Sequence, residues 1–379
     1  NFLCVVLLVL GCFAVPVLGT AAINIFLLSA LGLWLLQGNF KMLLVLARQC
    51  LLARMSLGLF LWLGLSALWS SNFSENILYL SKYREFFMIP VFMLVFQDKI
   101  TCTYGSRALF AGIFILLAIV FLQYFHVINL NSRFHSSNNW IYHGIVISFF
   151  GYWCLDLACK NSKYAIFFIL LFLASGFSVF VIHGGRTGYI LFFMLTLLFV
   201  LQRYNWRFLF LTFIVGLGLY LFSDLRSLLS LNLSFLKESS LLLELQKSDV
   251  RFEFYLNSLK IIRENFIFGV GLGDFKLVYS SLKTNNFFPN TTNPHNEYLM
   301  IWVQSGLIGF SLFIVFLWAF LRMTQRLSKD DAPLAVATLV TIIVSCAFNS
   351  SFLDMNDGAF LVILSALFLA PGVKLIHPR

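Results

Sequence analysis

Residues 107–128 read RALFAGIFILLAIVFLQYFHVI, and the stretch Ala108–Leu122 within them carries no polar side chain. The hydrocarbon core of a bilayer takes about 20 apolar residues per helical span. The run is continuous and does not alternate, so it reads as a helix and not as a barrel strand. It is one of twelve such segments, at about 2–19, 21–37, 55–70, 77–96, 107–128, 140–158, 164–182, 187–202, 207–222, 298–320, 333–349 and 357–371. The 379-residue chain is 60% hydrophobic and only 11% charged. A soluble domain carries about 25% charge, so an ordinary soluble enzyme is excluded, as are disorder and a disulfide scaffold. The expected fold is an all-α membrane protein of about twelve transmembrane helices. Phe2–Leu18 is read as a first span and not a cleaved signal.

The loops set the orientation. Taken alternately, one set holds Lys41, Arg48, Arg54, Lys99, Arg107, Lys160, Lys163, Arg203, Arg207, Arg322, Arg326 and Lys329, joined by Lys374 and Arg379 in the tail. The opposite short loops hold little basic beyond Arg133 and Arg186. The positive-inside rule makes the first set cytoplasmic and places both termini inside. The net charge of +10 then reflects topology, and no nucleic-acid partner is expected. Cys4, Cys12, Cys154 and Cys346 lie in apolar runs and read as buried thiols. The expected organisation is spans 1–9 over 1–223, an external loop over 224–297, and spans 10–12 with a short tail over 298–379.

The long loop holds sixteen charged residues, eight of each sign. Loops of this length are usually functional. Asp249–Phe266 reads as an amphipathic helix with Phe252, Tyr255, Leu256, Leu259, Ile262 and Phe266 on one face. It is expected to lie on the membrane surface or against the bundle. Gly269, Gly271 and Gly273 end it. Their spacing is wrong for a nucleotide loop, and no βαβ pattern surrounds them.

Uncommon residues collect on the external side. In Asn293-Pro294-His295-Asn296-Glu297, Asn293 suits an N-cap and Pro294 the first helical position. That puts His295 in the first turn, where the dipole favours a neutral imidazole able to accept a proton, with Asn296 and Glu297 supporting it. The bland alternative is an interfacial histidine that only caps. Arg186 lies in His183-Gly184-Gly185-Arg186-Thr187-Gly188, a tight turn that opens a helix. There a guanidinium suits phosphate, or else snorkels to headgroups. Arg133 sits in the other short basic external loop, and Arg251 begins the amphipathic helix; either can equally be a solvated charge. Lys82, Arg84 and Glu85 lie inside the fourth segment and read as a structural ion pair before a catalytic group. Asp354 and Asp357 occupy the last external loop, where a metal role has no support. No metal or cofactor is expected. Three external arginines and a neutral histidine beside an apolar bundle suit a lipid-linked pyrophosphate substrate, whose bond already carries the activation for group transfer.

The stretches Arg251-Phe252-Glu253-Phe254-Tyr255, Ile261–Phe275 (IIRENFIFGVGLGDF), His295-Asn296-Glu297-Tyr298-Leu299 and Gly306-Leu307-Ile308-Gly309 resemble the O-antigen ligase and polymerase superfamily of bacterial membrane glycosyltransferases. The turn at 185–188 resembles it too. The resemblance implies a multi-pass protein of the bacterial inner membrane with a periplasmic active site. Such proteins move a glycan from undecaprenyl pyrophosphate to an acceptor hydroxyl, with inversion and without a metal. By position, His295 matches the proposed base, and Arg186 and Arg251 the arginines thought to bind pyrophosphate; the match of Arg133 is weaker. The single late loop is more like a ligase, whose acceptor is the lipid A-core oligosaccharide, than a polymerase, which extends a carrier-linked glycan. Two other classes stay open. A transporter or flippase would survive loss of His295 and depend on Lys82, Arg84 or Glu85. A scaffold in a glycan-assembly complex would be indifferent to His295→Ala.

Overall fold

The computed structural model describes residues 2–128, 139–203, 250–282 and 291–373. The segment 207–222 and Arg133 lie outside the described residues. In chain order the helices are α1 (Phe2–Val17), α2 (Thr20–Leu36), α3 (Phe40–Gln49), α4 (Leu51–Ser66), α5 (Phe73–Tyr83), α6 (Glu85–Val95), α7 (Lys99–Tyr124), α8 (Trp140–Lys160), α9 (Ala165–Phe177) and α10 (Arg186–Arg203). After the undescribed segment come α11 (Val250–Glu264), α12 (Phe275–Leu282), α13 (Glu297–Thr324), α14 (Ala332–Phe348) and α15 (Met355–Leu369). The described residues contain no strand. Polar side chains start several helices where the apolar runs begin. Asp98 accepts from the Thr101 amide at 2.8 Å, Asn139 from Ile141 and Tyr142 at 3.2 Å, and Asp354 from Asn356 at 3.0 Å.

Seven of the described helices are long and apolar enough to cross a membrane, or eight if α2 and α3, bent by 99°, count as one span. The expected twelve is not reached among the described residues, for identifiable reasons. The segment 77–96 breaks at Arg84 into α5 and α6. Helices α1 and α14 are apolar but shorter than a full span. Helix α3 occupies what the sequence reading left between spans. Arg54 of α4 donates to the Ala47 and Arg48 carbonyls at 3.1 and 2.9 Å, satisfying the end of α3. Cys4, Cys12, Cys154 and Cys346 are buried free thiols, as read.

The polarity of the bundle follows from contacts at one end. Tyr152, late in α8, hydrogen-bonds Gln202, late in α10, and the Pro333 carbonyl at the start of α14 (3.1 Å). Asp156 there pairs with Lys160 and Arg203, each at 2.7 Å. Helices α10 and α14 pack against each other. The start of α10 therefore lies at the opposite end, where α14 finishes. Near that end Gly144 and Gly188 let α8 and α10 touch backbone to backbone. A Cβ on Gly144 would stand 2.8 Å from the Gly188 Cα.

Helix α13 is interrupted at Gly306, whose φ of 66° and ψ of −168° are open only to glycine. The break frees backbone groups that the glycine-rich stretch takes up. Val270 and Gly271 donate to the Val303 and Gln304 carbonyls at 2.8 and 3.0 Å, and Leu307 donates to Phe266 at 2.9 Å. The glycines thus serve close packing. Asp274, buried, clamps the far side of the loop by accepting from Ser70 Oγ (2.7 Å), Ser71 N (2.7 Å) and Ser71 Oγ (2.8 Å). Asp274→Ala strands these donors, each at about 1–3 kcal/mol. Faster amide exchange over 265–274, with a lowered melting temperature, is the expected result. Unchanged exchange there would show that Asp274 holds nothing.

Candidate functional site

The site is built where three helix ends meet: the start of α13, the end of α14 and the start of α15. Asn296 is the N-cap of α13; it accepts from the Leu299 amide at 3.1 Å and donates to the Ala347 carbonyl at 3.0 Å. This corrects the expected cap at Asn293. The Asn293 side chain instead accepts from the His295 amide at 2.8 Å, and His295 adopts a left-handed φ of 54°. An L-residue in that conformation cannot begin a helix. His295 therefore stands just ahead of α13 and not inside its first turn.

The His295 ring is half-buried and held on two sides. It lies parallel to Phe254 of α11 at 6.2 Å between centroids. Its Nδ1 faces Asn349 Oδ1 at 3.4 Å, and Asn349 Nδ2 donates to Asp357 Oδ2 at 2.7 Å. These contacts fix the chemistry of the ring. The amide nitrogen of Asn349 is committed to a carboxylate, so its oxygen must face the histidine. An acceptor opposite Nδ1 favours the proton there, the tautomer in which Nε2 is the accepting nitrogen. The arrangement has the logic of a base oriented by a hydrogen-bonded neighbour.

Arg251, at the start of α11, donates to the Phe348 carbonyl at 3.4 Å. Phe348 and Asn349 are consecutive, so the structure brings Arg251 and His295 to one point of the chain. Tyr255 Oη, one turn further along α11, reaches the His295 carbonyl at 3.5 Å. Arg186 begins α10 at the same end of the bundle. Glu297 is fully buried and turned away from His295, accepting from Tyr83 Oη (2.9 Å) and the Phe352 amide (2.8 Å). Its support is to the loop that carries Asn349. Glu85 is buried against Gly358, where a Cβ would fall 1.6 Å from its carboxylate. The expected ion pair in the fourth segment is not formed: Arg84 donates instead to the Ser81 carbonyl (2.6 Å) and to Asn24 (2.5 Å).

Helix α11 spans nearly the residues expected but buries a different face. Phe254, Asn257, Ser258, Ile261 and Ile262 are buried, whereas Leu259 is half exposed. The buried stripe meets α12 and α13. Asn257 donates to Tyr279 at 3.3 Å, and burial pushes that phenol above its ordinary value.

Sequence reasoning missed Asn349 altogether and placed Asp357 in a loop with no supported role, whereas it lies in the first turn of α15. The signal available was a polar Asn349-Ser350-Ser351 run directly after an apolar span. It also missed His143, buried in the first turn of α8. The His143 ring stacks on that of His183 at 3.8 Å and meets Ser178 Oγ at 2.9 Å. His183 ends a π-helical turn, Ser178–His183, joined by Gly184 and Gly185 to Arg186 at the start of α10. Such turns concentrate at functional sites.

Residues 166–314 match the family model described as O-antigen ligase. That match covers less than half of the chain and supports its resemblance to the O-antigen ligase and polymerase superfamily. The family segment runs from α9 into α13 and contains Arg186, Arg251 and His295. Asn349 and Asp357 lie beyond it and join it through the fold. A comparison with curated proteins gives no match.

Proposed function

We propose that the chain transfers a glycan from undecaprenyl pyrophosphate to a hydroxyl of the lipid A-core oligosaccharide, at the periplasmic face of the bacterial inner membrane. The observation that carries this reading is the meeting of His295, Asn349 and Arg251 at the end of α14. An imidazole able to act as a base lies there beside a guanidinium, at the rim of an apolar bundle. Nε2 of His295 takes the proton of the acceptor hydroxyl. The oxygen attacks the anomeric carbon from the face opposite the pyrophosphate, and the carbon–oxygen bond to the carrier breaks with inversion. Arg251 and Arg186 meet the charge that develops on the leaving pyrophosphate. No metal enters this scheme. Arg133 is proposed as a further phosphate contact.

Removing one preorganised donor to developing charge costs about 10²–10³ in kcat. Arg251→Ala is expected to show that loss in single-turnover transfer. Arg251→Lys restores part of it, because lysine keeps the charge but lacks the planar fork. Full activity in Arg251→Ala would remove it from the reaction. Products also separate the readings: glycan on a lipid A-core acceptor means ligase, and longer carrier-linked glycan means polymerase.

A further inference from the structure

A second site lies at the end of the bundle remote from His295. A cavity of about 730 Å³ opens there between α7, α8, α9, α15 and the turn before α14. Its deep wall is aromatic. Phe110 meets Trp153 at 5.3 Å and Phe168 at 6.3 Å, and Trp153 meets Phe368 at 5.3 Å. Its mouth carries the exposed charges Lys99, Arg107, Asp330 and Asp331. Lys160 also lines it, but its ammonium is committed to Asp156 and the Asp330 carbonyl, both at 2.7 Å. Among the described residues Lys99 and Arg107 enter no ion pair, and the one side-chain bond of the two carboxylates is that of Asp331 with Ser328 at 2.7 Å.

We infer that this cavity binds a zwitterionic phospholipid with a phosphoethanolamine headgroup, its phosphate on Lys99 and Arg107 and its ammonium on Asp330 and Asp331. The charge pattern makes the choice. Two cations alone would favour any anionic lipid. Two carboxylates in the same mouth oppose a headgroup of net negative charge and call for a cation joined to the phosphate. A primary ammonium has three N–H donors for carboxylates and carbonyls, whereas a trimethylated one has none. The aromatic wall takes the glycerol ester and the start of an acyl chain, which a soluble phosphoethanolamine would leave empty. Lys99 and Arg107 are eight residues apart on α7, about 12 Å along its axis. Their long side chains therefore approach the phosphate from two sides of the mouth. The site does not touch the residues assigned to transfer.

The test is lipid titration of the purified full chain in detergent, read by native mass spectrometry, with phosphatidylethanolamine, phosphatidylcholine and phosphatidylglycerol of the same acyl chains. Phosphatidylethanolamine is expected to bind at least about tenfold tighter than either, a difference of about 1.4 kcal/mol. The pair Asp330→Asn with Asp331→Asn should abolish that preference, and Arg107→Gln should weaken binding of all three lipids. All three positions are exposed, and size-exclusion profiles check that the variants stay folded. Equal or tighter binding of phosphatidylglycerol overturns the inference, and so does a preference that survives Asp330→Asn with Asp331→Asn, or lipid binding unchanged in Arg107→Gln. Should a variant aggregate, a photoreactive phosphatidylethanolamine on the wild-type chain decides: adducts on α7 and α15 support the site, and adducts elsewhere overturn it. Soluble glycerophosphoethanolamine binding as tightly as the lipid would overturn the role of the aromatic wall.

Discussion

Replacing His295 by alanine is expected to lower the rate of glycan transfer by about 10²–10⁴-fold, the range supplied by a positioned general base. The protein stays folded, because the ring is half-buried and its loop is held by other bonds. The His295 amide still donates to Asn293, and Asn296 still caps α13. Donor binding should change little, since the base acts on the acceptor. A variant that keeps its activity refutes the assignment, and one that loses donor binding as well makes His295 a substrate contact. Asn349→Ala is the companion. It leaves Nε2 in place but removes the acceptor that sets the tautomer, so kcat falls less than in His295→Ala while KM holds.

Replacing Gly306 by valine has the largest expected effect on the fold. A Cβ at Gly306 would lie 2.0 Å from the Ile267 carbonyl oxygen and 2.3 Å from its carbon. Conformational strain in this region of φ and ψ costs about 1–3 kcal/mol. The glycine-rich loop must then withdraw, and the bonds from Val270, Gly271 and Leu307 go with it. At about 1 kcal/mol net for each, the sum is about 4–6 kcal/mol, enough to abolish a monodisperse protein. Fluorescence-detected size exclusion and thermal unfolding check this. A Gly306→Val protein with an unchanged melting temperature would contradict the docked loop. Since α11 and the His295 segment flank that loop, partial folding would also silence transfer.

What was legible in the sequence was what depends on solvent. Runs such as Ala108–Leu122 gave helices because only helices and closed barrels satisfy the backbone in hydrocarbon, and an unbroken apolar run does not alternate as a barrel strand does. Of the charges read on one side, Lys99, Arg107 and Lys160 line one cavity. The helix over 250–264 was legible from its period, but its buried face was not, because that is decided by the α12 and α13 surfaces it meets. The cap of α13 was misplaced for a local reason. Asn293 and Asn296 suit a cap equally, and the choice rests on His295 taking a left-handed φ, a preference that no neighbouring residue signals. The break at Gly306 was hidden because Gly306-Leu307-Ile308-Gly309 sits inside an apolar run, and glycine is common in membrane helices. Asn349 was illegible because its role depends on contact with a residue 54 positions earlier. The segment 207–222 and Arg133 remain expectations from sequence.

The most direct measurement of the central claim is transfer in vitro by the purified chain. It would be given an undecaprenyl-pyrophosphate glycan and a lipid A-core acceptor, with chelator and without ATP, alongside His295→Ala and Arg251→Ala. The account predicts glycan covalently joined to the acceptor with inverted anomeric configuration, released undecaprenyl pyrophosphate, and loss of both products in the two variants. A folded protein that binds both lipids and forms no covalent product, or one that forms it equally well without His295, would contradict the account.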